Sequence, residues 1–185
     1  ACCLHASPAG AESELVWKQN SPQVFQSRIN GGGAVYENRF YIPCLDGSIV
    51  CLDAQSGEAV PGWPVQVGGG VRWLLVNEPF LVAVCRDSGQ VYLLDLLRGQ
   101  PGEPLVSLHT RISCRPFFWK NKLFLCTEDG RIVKIDLRQR LATEFVRDFT
   151  RILAQPSLRK NLLIAGAQDH ALYAWDENGQ LVWQS

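Results

Sequence analysis

Residues 41–57 read Tyr-Ile-Pro-Cys-Leu-Asp-Gly-Ser-Ile-Val-Cys-Leu-Asp-Ala-Gln-Ser-Gly: an apolar run, a turn, a second apolar run and a second turn. Asp46-Gly47 between two apolar segments is a strong hairpin signal, because a tight turn needs positive φ values that Gly and Asp tolerate. Asp53, which closes the second run, recurs as Asp95, Asp136 and Asp176, at spacings of 42, 41 and 40 residues. The runs these aspartates close are SIVCLD (48–53), QVYLLD (90–95), RIVKID (131–136) and ALYAWD (171–176). Each follows a turn: Leu45-Asp46-Gly47, Arg86-Asp87-Ser88-Gly89, Glu128-Asp129-Gly130 and Gln168-Asp169-His170. A period near 41 with no helical pattern inside it predicts one four-stranded antiparallel sheet per repeat. That makes the chain an all-β propeller.

Within the third repeat the pattern predicts strands over 110–118, 122–126, 131–136 and 142–149. Each repeat aspartate opens a polar turn, so Asp53, Asp95, Asp136 and Asp176 are expected to accept the backbone N–H groups of that turn, a structural role rather than a catalytic one. Leu-Val-Trp at 15–17 returns as Leu-Val-Trp at 181–183, 166 residues later, or four periods. The expected organisation is a flexible arm over 1–13 and propeller repeats over 14–185, divided at about 19–66, 67–108, 109–149 and 150–185. The count becomes four blades plus one extra outer strand. This is read as a partial array of a seven- or eight-bladed propeller; a closed four-bladed ring and two halves pairing to make eight are the alternatives.

The order apolar strand, small residue, Asp-Gly turn, apolar strand ending in Asp, polar turn with Gly, outer strand with Trp resembles the pyrroloquinoline-quinone-type propeller repeat. It is carried by residues 41–57 and by Leu-Ile-Ala-Gly-Ala-Gln-Asp-His-Ala-Leu-Tyr-Ala-Trp-Asp-Glu-Asn-Gly-Gln-Leu-Val-Trp over 163–183. The resemblance spans roughly 15–183 and implies that Trp17, Trp63 and Trp183 dock between neighbouring blades. Repeats two and three depart from it, with His109 and Phe149 near the place where tryptophan is expected. Quinone enzymes of this type use a calcium ion, a catalytic Asp and a vicinal cysteine disulfide. The only adjacent cysteines here, Cys2-Cys3, lie outside the repeats. The resemblance therefore implies the non-enzymatic branch, with no cofactor.

The 185 residues are 46% apolar and 19% charged, with no formal net charge. That composition suits a globular domain with a sizeable core and gives no basic footprint for nucleic acid. No run reaches the roughly 18 apolar residues of a membrane-spanning helix. Methionine is absent, even at position 1, which points to a processed product or a piece of a longer chain. Five of the seven cysteines (Cys44, Cys51, Cys85, Cys114 and Cys126) fall in predicted strands as small apolar residues. Unpaired strand thiols point to the cytoplasm, with the periplasm as the alternative.

A second series opens the first strand of each repeat: Arg28-Ile29, Arg72-Trp73, Arg111-Ile112 and Arg151-Ile152. Two readings compete. In one, the four arginines form an anion-binding rim at one mouth of the channel, since guanidinium suits bidentate recognition of carboxylate or phosphate. In the other, each pairs with a hairpin acid of its face (Asp46, Asp87, Asp129 and Asp169). His5, His109 and His170 have no ligand-like spacing, so no metal is expected. Gly31-Gly32-Gly33 and Gly68-Gly69-Gly70 open no helix and lack the amide array of a phosphate loop. No catalytic set emerges. The expected function is a non-catalytic module for protein–protein interaction, scaffolding or ligand sensing, part of a longer polypeptide. Its partner is a protein of unknown identity, and self-association to complete a propeller is open. The alternatives are an accessory domain of an acyl-adenylating enzyme or of a protein kinase, and a fragment of a quinone-dependent dehydrogenase.

Overall fold

Four antiparallel sheets of four strands each, with no helix among the described residues, follow one another along the chain. The computed structural model describes residue 18 and residues 24–147 and 150–185. The expected extra strand at 15–17, with Trp17, and Phe149 lie outside the described residues. Blade 1 holds β1 (Ala34–Tyr36), β2 (Arg39–Pro43), β3 (Ser48–Asp53) and β4 (Val65–Gln66). Blade 2 holds β5 (Val71–Asn77), β6 (Phe80–Cys85), β7 (Gln90–Asp95) and β8 (Val106–Ser107). Blade 3 holds β9 (Phe117–Trp119), β10 (Lys122–Cys126), β11 (Ile132–Asp136) and β12 (Leu141–Val146). Blade 4 holds β13 (Ser157–Arg159), β14 (Leu162–Gly166), β15 (Leu172–Trp175) and β16 (Leu181–Gln184). Strands pair strictly in chain order, so each blade is a meander.

The first strands are shorter than the pattern predicts. In blade 3 the ladder begins at Phe117, and the segment before it touches β10's end only through a single bridge, Ile112 to Thr127. Pro116 lies in the gap and has no N–H to donate to a ladder. The same detached bridge recurs as Ile29 to Cys44 and Ile152 to Ala167. The fourth strand ends at Val146 rather than 149.

Period-two alternation gives the second and third strands of blades 1 to 3 two buried faces. In β7, Tyr92 and Leu94 pack back on blade 1 with Tyr41, Ile49 and Cys51, while Val91 packs forward with Leu123, Leu125 and Ile135 of blade 3. In β15, Tyr173 and Trp175 pack back on Phe124 and Phe145 of blade 3. The repeats therefore bury apolar runs on both sides, as the middle members of a stacked array must. Each fully buried Leu, such as Leu81 or Leu94 at 0% exposure, contributes about 1.5–3 kcal/mol relative to an exposed one.

Candidate functional site

The repeat aspartates sit where each third strand hands over to its turn. Asp53 Oδ1 accepts the N–H of Gln55 at 2.9 Å and of Ser56 at 2.8 Å. Asp95 does the same for Leu97 and Arg98, both at 2.8 Å, and Asp136 for Arg138 at 3.0 Å and Gln139 at 3.1 Å. Asp176 accepts from Asn178 and Gln180, both at 2.9 Å. These bonds favour the carboxylate. Asp53 is held below the ordinary range chiefly by the Ser56 N–H, and Asp95 chiefly by the Arg98 N–H. Asp136 is lowered first by the Lys122 ammonium that bonds it and then by its turn amides.

The arginine series does not hold its spacing in space. Pairing across the first two strands aligns Ile29, Val71, Ile112 and Ile152, so the residues before them are Arg28, Gly70, Arg111 and Arg151. Arg72 is the extra residue of a bulge between Val71 and Trp73, two positions further on. Gly70 is there for a steric reason: a Cβ on it would lie 2.9 Å from the carbonyl oxygen of Leu45 in the hairpin of blade 1. The count already separates it: Arg72 lies 23 residues before Asp95, whereas Arg28, Arg111 and Arg151 each lie 25 before their repeat aspartate.

The remaining members reach across blade boundaries. Arg111 of blade 3 places Nε at 2.9 Å and Nη2 at 2.7 Å from Asp87 Oδ1 in the hairpin of blade 2. Arg151 of blade 4 places Nη2 2.7 Å from Glu128 Oε1 in the hairpin of blade 3. The backbone follows the same route, with the Ile112 N–H donating to the Arg86 carbonyl at 2.8 Å. Asp129 is taken by Arg131 of its own hairpin at 2.7 Å, Asp46 by the N–H and hydroxyl of Ser48, and Asp169 by the Tyr173 hydroxyl. Arg72 donates to the Asn30 carbonyl. Arg28 is exposed and enters no ion pair among the described residues. Two of the four guanidinium groups thus form ion pairs between neighbouring blades, and Arg72 crosses a boundary to a carbonyl.

Aromatic docking repeats with a change of residue. Trp63 is buried in the blade 1–blade 2 core, edge-on to Tyr41 at 5.3 Å, and its ring lies on the turn at Gly99. At the next-but-one boundary the turn at Gly179 of blade 4 sits on Phe145, chiefly on its backbone carbonyl. His109 is exposed at φ 55°, while Leu105 and Leu108 pack against the core between blades 2 and 3. Trp119 is buried against Phe124 and Phe145. Trp183 remains 38% exposed.

That exposure belongs to a whole face. The forward faces of blades 1, 2 and 3 present Tyr41 and Cys51, Val82 and Val84, and Phe124 and Cys126, all buried by the following blade. By register, the corresponding face of blade 4 presents Ile164 opposite Ala174, Gly166 opposite Leu172, and Ala174 opposite Trp183. Leu172 is 49% exposed. Sequence reasoning missed this surface because its residues carry the same pattern as the buried faces; among the described residues, none is shown packed in front of Leu172 and Trp183. Among the described residues, no three His, Cys, Asp or Glu side chains converge on a metal-sized site, and no helix is long and apolar enough to cross a membrane.

The comparisons agree with this geometry. The designed protein Ika4 superposes with a TM-score of 0.69 at 22% identity, covering 90% of this chain and 99% of its own. BamB from Moraxella catarrhalis gives 0.56 at 15%, covering 86% of this chain, and the designed protein Ika8 gives 0.65 at 20%, covering 83%. This chain spans 62% of that BamB chain and 47% of Ika8. No curated protein matches it. The family model PQQ_2, described as outer membrane protein assembly factor BamB, matches residues 80–185. With a match over more than half its length and four blades of this form, the chain belongs to the PQQ_2 family of PQQ-like β-propeller repeats.

Proposed function

We propose that this chain is a non-catalytic protein-interaction module that binds through the forward face of blade 4. The supporting observation is the half-exposed apolar surface of Leu172 and Trp183 around Ile164 and Ala174. The same face is buried three times over elsewhere in the chain, each time by the rear face of a blade. A surface built for that role takes a partner with matching chemistry: a flat, alternating apolar sheet face. The hairpin carboxylates of blades 2 and 3 receive an arginine from the blade in front, so the partner also brings a cation towards Asp169. The module then acts by holding surfaces together, with any reaction located on its partner or elsewhere in a longer polypeptide.

A photo-crosslinking residue at position 172 or 183 tests this, with one at the exposed turn residue Leu97 as control. The expected result is protein adducts from 172 and 183 that disappear when Ile164 is replaced by Asp, in a variant that keeps its circular dichroism. Equal adducts from Leu97, or none from the blade 4 face, would overturn the reading.

A further inference from the structure

The boundary between blades 3 and 4 holds a cleft of about 230 Å³, lined by Trp119, Lys120, Lys122, Phe124 and Lys134 of blade 3 and by Glu177 in the turn of blade 4. The register of the sheet sets these side chains. Trp119 faces Lys122 across the two-residue turn Lys120-Asn121, whose φ values of 48° and 59° are the left-handed pair of a tight hairpin. Phe124 faces Lys134 on the neighbouring strand. Lys122 and Phe124 are two residues apart on β10, so they and Lys134 share the face of blade 3 that is turned to blade 4.

The residue two before each repeat aspartate is Cys51, Leu93, Lys134 and Ala174 in turn, so Lys134 is the one charge in that series. At the boundary of blades 1 and 2 the same place is closed. Cys51 is fully buried opposite Tyr41, in the cluster that includes Trp63. Arg39 crosses to the turn of blade 2 and donates to the carbonyls of Leu96 at 3.3 Å and Leu97 at 2.8 Å. In blade 3, Lys122 instead bonds Asp136 of its own blade, and Lys120 pairs with Glu177 across the cleft. Those two ammonium groups have their acids. Lys134, half-buried, enters no ion pair among the described residues, and its ammonium stands 5.7 Å from the centroid of the Phe145 ring. An aromatic face compensates a cation only in part.

We propose that this cleft binds the carboxylate of a small organic acid, with Lys134 as the cation that receives it and Trp119 and Phe124 as the apolar wall beside it. The sign follows from the charges present: Lys120, Lys122 and Lys134 stand against Glu177 and Asp136, which leaves one positive charge over. A lysine holds an anion as a point charge rather than as a two-pronged fork, and one spare charge suits a monocarboxylate better than a phosphate dianion. The cleft is smaller than the roughly 300–1,000 Å³ of sites for drug-sized ligands, so the body of the acid is short, on the scale of a single ring. The wall is preformed, since Trp119 and Phe124 are already packed edge-on to Phe145 at 6.1 Å and 5.1 Å. The site is separate from the open face of blade 4, and an acid bound in it stabilises the boundary between blades 3 and 4.

The test titrates the 185-residue chain with sodium benzoate and, separately, with benzamide, its uncharged analogue. Nuclear magnetic resonance follows the Trp119 indole N–H and the Lys134 side chain. The expected result is a saturable shift of both signals with benzoate, and binding of benzamide weaker by about tenfold or more, the loss of one charge-assisted hydrogen bond. Lys134→Gln should weaken benzoate by about the same factor while keeping the circular dichroism of the unaltered chain. Lys134→Arg, which keeps the charge, should retain most of the affinity, and Arg28→Gln, remote and exposed, should change nothing. Should Lys134→Gln fail to fold, the ratio of benzoate to benzamide affinity in the unaltered chain decides. Equal binding of the two probes, or benzoate binding untouched by Lys134→Gln, would overturn the proposal. Inorganic phosphate displacing benzoate at equal concentration would overturn the assignment to a carboxylate.

Discussion

The ring of Trp63, at the outer edge of blade 1, lies on the Gly99 turn of blade 2 so closely that a Cβ at Gly99 would stand 2.7 Å from Trp63 Cζ2. Gly99 also holds a φ of 64°, a left-handed conformation that a Cβ disfavours. Gly99→Val is therefore expected to destabilise the chain by about 2–4 kcal/mol, summing overpacking and backbone strain. Trp63→Ala, which leaves a cavity between blades, should cost about 3–5 kcal/mol. Urea unfolding of both variants and of the pair together checks this. Costs that simply add would mean that the two residues do not share one contact.

Tyr41 supplies the polar tie at the same boundary. Its hydroxyl donates to the Leu96 carbonyl at 2.6 Å inside the core. Tyr41→Phe should cost about 1 kcal/mol, because the Leu96 carbonyl loses its short bond and keeps only the Arg39 guanidinium at 3.3 Å. Burial, with Cys51 nearby, pushes the phenol up to about 12. The folded value lies above the unfolded one, so this contribution is complete below about pH 10 and is lost as pH rises towards 12. Ultraviolet titration should show one tyrosine ionising last, and Tyr41→Phe should remove that step.

The turn aspartates work in the opposite direction. Asp95 is lowered chiefly by the Arg98 N–H, so its contribution is present at neutral pH and fades as pH falls through the folded value, below about pH 4. Asp95→Ala, which loses two backbone N–H bonds, should cost about 1–2 kcal/mol at pH 7 and reduce the loss of stability on acidification. Chemical denaturation at pH 7 and pH 3 reads both effects; an unchanged acid dependence would contradict the assignment.

The Arg111–Asp87 pair is exposed, with side-chain accessibilities of 52% and 77%. A double-mutant cycle with Arg111→Ala and Asp87→Ala should give a coupling below about 1 kcal/mol that shrinks further in high salt. The Arg151–Glu128 pair is better sheltered, at 34% and 22%, and should couple more strongly and respond less to salt. Equal coupling and equal salt dependence would show that exposure does not set their strength.

The open face of blade 4 gives a solubility prediction. Leu172→Lys together with Trp183→Ser should leave the unfolding midpoint within about 1 kcal/mol, since Leu172 is half exposed and Trp183 more than a third, while reducing concentration-dependent association. Light scattering across a dilution series measures it. Association unchanged by the double substitution would place the sticky surface elsewhere.

Much of the fold is legible in residues 41–57 alone, because a strand's period of two and a turn's demand for Asp and Gly are local properties. The repetition of Asp53 at 95, 136 and 176 carries the blade count for the same reason: each carboxylate bonds amides two to four residues away. The arginine series was less well served. Arg72 lies two residues closer to its aspartate than the other three do to theirs, and Gly70, at the matching count, takes the structural place under the Leu45 carbonyl. Nor could spacing show that the Gly179 turn would sit on Phe145.

The sequence by itself determined the all-β repeat, its period and the turn role of its aspartates, since each rests on interactions within a few residues. Only the tertiary structure decided which charges pair, which aromatic ring docks and which sheet face lies open. Those outcomes depend on the neighbouring blade. Leu172 carries the same apolar pattern as the buried faces before it yet is 49% exposed, because what packs against an apolar face is decided by its neighbours and not by its own residues.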